Sequence, residues 1–392
     1  MDYIFTNHFN YRMSPDRSQR PTWAEIDLDN LAFNFHSTKE FVGKEIEYMA
    51  VVKANAYGHG AVQCAKRLEA EGVDWFAVAL PEEGIELREA GSQKPILCLG
   101  GFWPGQERLL LKHDLTPVVF NIEQAEILNA AAKALELKAP IHIKIDTGMG
   151  RLGIRFDELA DFAARLSELK NLEVEGLMTH FAVADKLSQN EFTNLQMARF
   201  GEAVSIFHGH GFRPKYLDMA NSPGAVAHPL SRATMVRLGG VLYGLGGDVL
   251  PAEIEKPELK PVLSLHSAIS MLKNVPMGET LGYGRTFQTK RDSIIATIPI
   301  GYHDGVSRSL SNKGRVIVNG KFAPIVGRVS MDWAIIDVTD IPDAKIGDTV
   351  TLIGKQGESD ILAEDIAALI DTISYEVTCS IDQRVPRIFK AS

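Results

Sequence analysis

Cysteine is scarce in this sequence, with three residues among 392. Cys64, Cys98 and Cys379 lie far apart, and their spacing fits neither a metal-ligand pattern nor the disulfide framework of a small secreted domain. We therefore expect no metal site and no structural disulfide. This use of cysteine is typical of a protein from the reducing cytoplasm.

Long apolar runs and an excess of positive charge are also missing. No run approaches the roughly 20 apolar residues that a membrane-spanning helix needs, and residues 1–20 lack the apolar segment of a secretory signal. The formal net charge of -9 argues against nucleic acid or an anionic membrane as the main partner, because both attract basic patches. These absences predict a cytoplasmic protein with no nucleic-acid or membrane partner.

The remaining composition is typical of an ordinary globular protein. Hydrophobic residues make up 45% of the chain and charged residues 23%. A chain of 392 residues has room for two or three domains with ample core. The polar residues 1–22 are expected to form a loose N-terminal extension ahead of the first domain.

From about residue 24 to residue 245, short apolar runs alternate with stretches of helical periodicity. The predicted strands cover residues 48–53, 75–80, 95–99, 116–120, 140–146, 174–180, 216–220 and 235–238. Such alternation predicts parallel β/α units. Eight strands at this spacing favour an α/β fold in which residues 23–250 form a (β/α)8 barrel of the TIM type. A doubly wound open sheet is the alternative.

The character of the sequence changes after the predicted barrel. Three prolines interrupt a charged stretch at residues 251–261, which is expected to be a linker. Residues 262–392 then contain short β-type runs separated by turns, and the pair Asn319-Gly320 is a strong hairpin signal. We expect a mostly β C-terminal domain. The segment at residues 26–28 is a candidate to belong to this domain as well.

A lysine follows the first predicted barrel strand, in the segment YMAVVKANAYGHG at residues 48–60. Lys53 ends an apolar run and is followed by small residues and turn residues. A buried position at the end of a strand lowers the pKa of an amine and makes it a candidate nucleophile or Schiff-base former. The alternative is a lysine whose amine reaches water. Burial alone leaves both interpretations open.

The string AVVKANAYGHG resembles the cofactor-lysine motif of alanine racemases, which bind pyridoxal 5'-phosphate (PLP). Further strings that match this family follow in order over residues 22–389. The resemblance implies an isomerase that interconverts L-alanine and D-alanine by a two-base mechanism and supplies D-alanine for peptidoglycan. It also implies a barrel followed by a β domain, and a homodimer with shared active sites.

The resemblance assigns cofactor contacts to several barrel residues. Lys53 would carry PLP and act as the base on one face of the substrate, and Tyr57 would contact the phosphate. The string MANSPG places Ser222 as a further phosphate ligand, and MVRLGGVLYGLGG places Gly239 and Gly240 there. Glycines after the last barrel strand also suit a phosphate on general grounds, because their backbone amides can approach it closely.

Arg237, in the same string, matches the arginine that faces the pyridine nitrogen of PLP in this family. An arginine does not give up its proton, so it keeps that nitrogen unprotonated and weakens the ring as an electron sink. That arrangement suits racemisation and disfavours transamination. The alternative for Arg237 is an ordinary surface salt bridge.

Two further barrel strings match the family. In HIKIDTGMGRLG, Arg151 resembles the arginine near the substrate carboxylate, and Lys144 matches a lysine that is often carbamylated and steadies that arginine. In LMTHFAVAD, His180 matches a histidine beside the second catalytic base. A histidine outside such a string is more often an ordinary core residue.

Racemisation needs a second base, because one proton leaves and another arrives on opposite faces of the α-carbon. In the string GETLGYGRTF, Tyr283 matches the family's catalytic tyrosine. A free tyrosine has a pKa of about 10, so it needs positive charge nearby to act near neutral pH. Arg151 and His180 are candidates for this role. An aromatic residue of a hairpin is the alternative for Tyr283.

Other strings of the C-terminal domain complete the implied site. The resemblance places Tyr302 and Arg308 at the substrate entrance and Met331 with its backbone amide near the substrate carboxylate, and the string VGRVSMDW that contains Met331 also supplies Arg328. Tyr375 would lie beside the entrance and the phosphate. The departures from the family pattern are His303, Ser330 and Asp218. Asp218 stands where some members have a histidine that contacts the pyridine-facing arginine, and it is expected to pair with Arg237.

Three alternative functions are weighed against this one. A PLP-dependent amino-acid decarboxylase of related fold would have an acidic residue at the pyridine nitrogen, and Arg237 argues against it. A non-catalytic PLP-binding barrel would lack the C-terminal domain and Tyr283. A racemase of broader amino-acid specificity remains open.

Overall fold

A computed structural model describes residues 20–391 of the chain. Within that span the chain forms two compact units, each built from segments that are distant in the sequence. The barrel unit consists of residues 27–262 and 389–391, and the C-terminal unit of residues 20–26 and 263–388. This division differs from the predicted boundaries, since residues 23–26 group with the C-terminal unit. The extension predicted for residues 1–22 falls largely outside the described residues.

Eight parallel strands close into a barrel. After β1 (Thr22–Asp27), the strands that form the ring are β2 (Glu47–Val51), β3 (Trp75–Val78), β4 (Ile96–Cys98), β5 (Thr116–Val119), β6 (Ala139–Asp146), β8 (Leu172–Met178), β9 (Tyr216–Ala220) and β10 (Met235–Leu238). The two-residue strand β7 (Ile154–Arg155) lies outside the ring. The barrel strands pair in the order β5, β4, β3, β2, β10, β9, β8 and β6, with the short β7 beside β6. Pairing of β5 with β6 closes the ring. The predicted barrel is confirmed, and the doubly wound sheet is excluded.

Helices connect the barrel strands. They are α1 (Leu28–Val42), the short turn α2 (Lys53–Tyr57), α3 (Ala61–Ala70), α4 (Pro81–Glu89), α5 (Glu107–Lys112), α6 (Ile122–Ala134), α7 (Leu159–Leu166), α8 (Asn190–Gly209) and α9 (Ser222–Ala227). Side-chain caps fix where two of them begin. Asp27 and Asn121 each accept a backbone N–H bond of 2.8 Å in the first turn of α1 and α6.

The C-terminal unit is mostly β, as predicted. Its elements are β11 (Leu263–Ala268), β12 (Met271–Val275), β13 (Thr280–Leu281), β14 (Phe287–Gln288), β15 (Ser293–Ile298), β16 (Arg315–Val318), β17 (Lys321–Pro324), β18 (Ala334–Asp337), β19 (Thr349–Gln356), β20 (Ser359–Ile361), α10 (Ala363–Ile370), α11 (Ser374–Cys379) and β21 (Arg387–Lys390). The main sheet has the order β17, β16, β19, β11, β1 and β21, and β20 pairs with β19. The strands β12, β15 and β18 form a second sheet, and β13 pairs with β14.

Local sequence explains two features of the main sheet. The turn between β16 and β17 contains Asn319 and Gly320, whose positive φ values of 49° and 75° suit a two-residue hairpin, so this prediction is confirmed. The strand β1 pairs antiparallel with β11, which places residues 22–26 in this sheet. That pairing is the physical reason why the barrel unit begins at residue 27.

The proline-rich segment at residues 251–261 forms no helix or strand, but the barrel unit includes it. The side chain of Asn34 in α1 donates to the Lys260 carbonyl at 2.8 Å and accepts from the Lys260 amide at 2.7 Å. Asn30 donates to the Pro261 carbonyl at 2.9 Å. The end of the predicted linker is therefore fixed on α1. Within residues 20–391, no helix combines the length and the apolar character needed to cross a membrane.

Candidate active site

Lys53 lies at the carboxyl end of β2, on the rim of the barrel where catalytic groups of such folds collect. The residues before it are buried, and β2 lies between β3 and β10 in parallel register. The amide of Val52 donates to the Ala77 carbonyl at 2.9 Å and extends this pairing up to the lysine. The central position of β2 therefore fixes the point at which Lys53 leaves the sheet.

The turn that follows Lys53 is left-handed. Four consecutive non-glycine residues, Ala54–Tyr57, have φ values of 52–53°. Left-handed backbone costs about 1–2 kcal/mol per L-residue. Local hydrogen bonds oppose this cost: the Gly60 amide donates to the Asn55 carbonyl at 2.9 Å, and the Ala61 amide donates to the Asn55 side chain at 2.8 Å. Strained backbone of this kind is concentrated at functional sites.

Two hydroxyl groups and a glycine meet beside this turn. The Gly239 amide donates to Ser222 Oγ at 2.9 Å. A Cβ at Gly239 would lie 3.0 Å from Tyr57 Oη and 3.9 Å from Ser222 Oγ, so only glycine leaves this space open. Gly240 follows directly and begins a short 3-10 turn. Hydroxyls and glycine amides that converge in this way fit the phosphate of PLP.

A further aromatic residue supports Tyr57, and the sequence did not single it out. The ring of Tyr243 lies 5.2 Å from the ring of Tyr57, and its hydroxyl donates to the Val51 carbonyl at 2.8 Å. Tyr243 thus joins the turn after β10 to the end of β2. Its place in the glycine-rich string was the only sequence signal.

Arg237 lies near the end of β10 and is buried. Its guanidinium forms an ion pair with Asp218 of β9, which is fully buried. It also donates to the Thr179 carbonyl at 2.9 Å and approaches His180 Nδ1 at 3.3 Å. The predicted pairing of Asp218 with Arg237 is confirmed, and a surface salt bridge at this position is excluded.

The buried charge of Arg237 affects its neighbours. Burial lowers the pKa of His180 well below its usual value, and the positive charge of Arg237 adds to this effect. Burial raises the pKa of Asp218, and Arg237 opposes that rise. Both effects on His180 favour its neutral imidazole.

Lys144 lies in the barrel interior on β6 and is also buried. Burial lowers the pKa of its amine, Arg237 and Arg151 also lower it and Asp218 opposes the change, and together these effects bring the pKa to about 7. A large fraction of Lys144 is thus neutral near pH 7. The neutral amine is the form that can take up carbon dioxide as a carbamate, as the family resemblance implies for this position.

His142, two residues before Lys144 on β6, was missed by the sequence reasoning. Its ring is fully buried between Trp75 and Tyr216, at centroid distances of 5.4 and 5.7 Å. Neither ring nitrogen has a hydrogen-bond partner among the described residues, and burial lowers its pKa to about 3. The sequence did contain a signal for His142, because it lies two residues from Lys144 on the same strand. Residues two apart on a strand have side chains on the same face, here the inner face of the barrel.

The loop after β6 carries Arg151. The carboxylate of Asp146 accepts the amides of Gly148 and Gly150 at 2.9 and 3.0 Å and so turns the chain at the end of the strand. Arg151 follows on this loop with an exposed side chain. The predicted barrel residues therefore occupy the carboxyl ends of β2, β6, β8, β9 and β10 and the inner face of the barrel.

In the C-terminal unit, Tyr283 lies on a 3-10 turn between β13 and β14 and is 71% exposed. Gly282 and Gly284, on either side of it, both have a φ of 71°. A Cβ at Gly284 would lie 3.3 Å from Arg328 Cζ, so the guanidinium of Arg328 rests against the turn that carries Tyr283. The structure thus brings Arg328 and Tyr283 together within this unit.

Two other loops of the C-terminal unit are joined by backbone hydrogen bonds. The amides of Tyr302 and His303 donate to the carbonyls of Ser330 and Met331 at 2.9 and 3.1 Å. Tyr302 and Met331 are both exposed. Arg308 lies on a neighbouring 3-10 turn with an exposed side chain, and Tyr375 lies on α11.

Asp304 holds this region in place, and the sequence did not reveal its role. It is fully buried and forms ion pairs with Arg20 and Arg384. Hydrogen bonds from these arginines and from the Gly301 amide outweigh burial and lower the pKa of Asp304. Arg384 also pairs with Asp332, the neighbour of Met331, at 2.8 Å.

Cavities within the C-terminal unit do not mark the candidate site. A cavity of about 450 Å³ between the main sheet and α10 is mostly apolar, and none of the predicted site residues lines it. Tyr302 lines a second cavity of about 350 Å³, together with Glu376. The geometry of named side chains, rather than cavity size, therefore identifies the candidate site.

Comparison with known proteins agrees with this geometry. The family model described as "Alanine racemase, N-terminal domain" matches residues 26–246, and "Alanine racemase, C-terminal domain" matches residues 262–389. The chain is 47% identical to an alanine racemase of Halothermothrix orenii, over 95% of this chain and 98% of the relative.

Solved structures give the same result. An alanine racemase of Clostridium difficile has a TM-score of 0.90 at 39% identity and covers 95% of this chain and 97% of its own. An alanine racemase of Bartonella henselae with covalently bound pyridoxal phosphate has a TM-score of 0.85 at 31% identity, over 95% of this chain and 100% of its own. The chain belongs to the alanine racemase family, which is PLP-dependent.

Proposed function

We propose that the chain is a PLP-dependent alanine racemase that interconverts L-alanine and D-alanine by a two-base mechanism and supplies D-alanine for peptidoglycan. The observation that carries this proposal is the meeting of Tyr57, Ser222 and Gly239 beside Lys53, in a chain of the alanine racemase family. A phosphate-binding cradle next to a strand-end lysine fits PLP and requires no metal.

The residues of the barrel rim would hold the cofactor. Lys53 would bind it covalently, and Tyr57, Ser222, Gly239, Gly240 and Tyr375 would contact its phosphate. When bound, PLP supplies an electron sink that makes the α-proton of the amino acid acidic. Arg237 is held charged and in one orientation by Asp218, so it can donate a hydrogen bond to the ring nitrogen without protonating it.

Two bases on opposite faces of the substrate would move the protons. The amine of Lys53 takes or returns a proton on one face, and the phenol of Tyr283 does so on the other. Arg328, whose guanidinium rests against the turn of Tyr283, would help to hold that turn in place. Arg151 and His180 remain the candidates to tune this phenol.

Substrate binding would fall to Arg151 and Met331. The guanidinium of Arg151 suits a carboxylate, and the backbone amide of Met331 would donate to the same group. Lys144 would steady Arg151, and His180, which Arg237 approaches at 3.3 Å, would help to hold Arg237 in place. Tyr302 and Arg308 would narrow the entrance and favour the small side chain of alanine over longer ones.

We infer that the active form is a homodimer with shared sites, in which Tyr283 acts in the partner's barrel. The high exposure of Tyr283, Met331 and Tyr302 supports this, because residues that work in a partner's site have to be accessible in a single chain. We also propose a cytoplasmic location, with residues 23–250 as the barrel domain, 251–261 as the linker and 262–392 as the β domain, where the strand at residues 22–26 is contributed to the sheet of the β domain.

The decisive experiment measures D-alanine formed from L-alanine by the purified protein with PLP, alongside an assay for released carbon dioxide. D-alanine without carbon dioxide is expected, and Lys53→Ala should abolish it. Carbon dioxide without D-alanine would indicate a decarboxylase, and neither product would indicate a non-catalytic PLP-binding protein. Racemisation of serine or larger amino acids at comparable rates would indicate broader specificity.

A further inference from the structure

The left-handed turn after Lys53 is held by a contact from outside its own segment. The amide of Ala54, the residue after the lysine, donates to Glu83 Oε1 at 2.6 Å. Glu83 lies on α4, which follows the next strand of the barrel, β3. The contact therefore joins the loop after β2 to the helix after β3.

The second oxygen of the same carboxylate holds the neighbouring loop. Glu83 Oε2 accepts the amides of Ala79 and Leu80 at 2.7 and 3.2 Å. One carboxylate thus accepts three backbone N–H groups from the carboxyl ends of two adjacent barrel strands. Charge-assisted bonds of this kind are about twice as strong as neutral ones.

Helix capping accounts for only part of this arrangement. Glu83 is the third residue of α4, and an acid there commonly accepts the amide of the residue before the helix, here Leu80. Capping does not require a contact with Ala54. All four residues of the run Ala54–Tyr57 have a left-handed backbone, which is unfavourable for residues other than glycine. The hydrogen bond from Glu83 fixes the first residue of this run, Ala54.

We propose that Glu83 is a positioning residue that holds the left-handed turn and thereby fixes the amine of Lys53 relative to the phosphate cradle. Tyr57, at the other end of the turn, reaches that cradle, so the turn sets the distance between the lysine and the phosphate ligands. Glu83 touches neither cofactor nor substrate in this role. The inference rests on the proposed function, since it concerns the lysine that would bind PLP.

The test compares Glu83→Ala and Glu83→Gln with wild type and with Glu82→Ala. Glu82 is the preceding residue of the same helix and accepts from the Gln106 side chain at 2.7 Å, away from the turn. Hydrogen exchange of the PLP-free protein is followed in peptides that cover residues 53–60. In Glu83→Ala these amides should exchange at least about tenfold faster, because the lost bond is charge-assisted. Glu83→Gln keeps one acceptor oxygen, so its exchange rates should lie between those of wild type and Glu83→Ala.

A second measurement follows the lysine itself. PLP is added to the PLP-free protein, and borohydride trapping on the Lys53 peptide gives the rate of covalent attachment. This rate should fall about tenfold in Glu83→Ala and stay unchanged in Glu82→Ala. In the loaded enzyme, kcat should fall while KM for alanine changes little, because substrate contacts are retained.

Two outcomes would overturn the proposal. In the first, residues 53–60 of folded Glu83→Ala exchange as in wild type. In the second, only α4 exchanges faster while attachment at Lys53 keeps its rate, which is the result of simple capping. If Glu83→Ala does not fold, the same criteria apply to Glu83→Gln. Hydrogen exchange does not depend on racemase activity, so a wild-type protein that lacks activity would refute the proposed function separately.

Discussion

Asp218 is the counter-charge of a guanidinium that is almost completely buried. Asp218→Asn keeps the size of the side chain but leaves Arg237 buried without an anion, and an arginine cannot relieve this by losing its proton. We expect the free energy of unfolding of the PLP-free protein to fall by about 3–5 kcal/mol, measured by urea denaturation.

The control is Asp157→Asn. Asp157 pairs with Arg155 at 2.7 Å, but both side chains are exposed, so Asp157→Asn should lower the free energy of unfolding much less than Asp218→Asn. Equal losses in the two variants would mean that the pair of Asp218 and Arg237 behaves as a solvated ion pair.

Lys144 is expected to make stability depend on pH. Its pKa is lowered to about 7 in the folded barrel, whereas an unfolded lysine has a pKa of about 10.4. Between these values the unfolded chain binds more protons. The folded state therefore gains stability as the pH rises through this window, by up to about 1.4 kcal/mol per pH unit from this group. Below pH 7 the full penalty of burying the charged amine is present.

Lys144→Met removes the titrating amine. The variant should be more stable than wild type near pH 7, and the difference should shrink as the pH rises toward 10. Urea denaturation of the PLP-free proteins across this window measures it, with the exposed Lys170→Met as control. A difference that does not change with pH would indicate that Lys144 does not titrate, as expected of a carbamate.

The candidate functional residues that the sequence predicted were those inside long family strings. Lys53 and Arg237 each lie where a barrel strand ends, so a strand prediction already places them on the rim. His142, Glu83 and Asp304 were missed because their contacts join segments far apart in the chain. No local pattern records that Glu83 meets the amide of a residue 29 positions earlier.

At the scale of elements, the loop after β2 combines strained backbone with tight packing. Gly60 has a φ of 98°, and a Cβ there would lie 2.6 Å from the ring of Phe389. Gly72 has a similar φ of 85°, but nothing lies within 4 Å of the position of its Cβ. A comparison of substitutions at these two glycines therefore separates the free-energy cost of the left-handed backbone from the cost of a steric collision.

Gly72→Ala should lower the free energy of unfolding by about 1 kcal/mol through backbone strain alone. Gly60→Ala should lose roughly 0.5–1.5 kcal/mol more, because the exposed ring of Phe389 also has to move aside. Thermal or urea unfolding of the PLP-free proteins measures both. Phe389→Ala should reduce the extra loss in a double variant. If Gly60→Ala and Gly72→Ala cost the same, Phe389 does not pack over Gly60.

The regular elements were predictable because their signals are local. All eight barrel strands were found at the predicted places, since buried parallel strands are short apolar runs. The left-handed turn α2 and the two-residue strand β7 were not predicted. Ala54 and Ala56 favour a right-handed helix by propensity, and hydrogen bonds made by Asn55 within the loop, together with the contact from Glu83, oppose that preference.

At the scale of the whole molecule, the proposed shared sites predict complementation. Lys53→Ala and Tyr283→Phe homodimers should each be nearly inactive, because each lacks one of the two bases. In a hybrid dimer, one site carries both defects and the other keeps both bases, so activity should return. The hybrids are made by co-expression with two different tags, and racemase activity is measured after sequential purification.

As the control for subunit exchange, each variant is also co-expressed with itself under the two different tags, purified in the same way and assayed. Verified hybrids with no more activity than the separate variants would mean that Lys53 and Tyr283 act within one chain. The shared-site model would then be wrong, while the two-base mechanism would stand.

The pairing of β1 with β11 also sets an order of events during protein synthesis. At about 5–20 residues per second, a ribosome releases β1 roughly 10–50 seconds before β11. During that interval β1 has no neighbour in its sheet and exposes unpaired N–H and C=O groups. The eight barrel strands emerge in the meantime, but Phe389, which covers Gly60, follows β11 and the rest of the β domain in the chain. The nascent chain must therefore keep an early strand from aggregating, and it completes the packing around its lysine loop only after the β domain has been made.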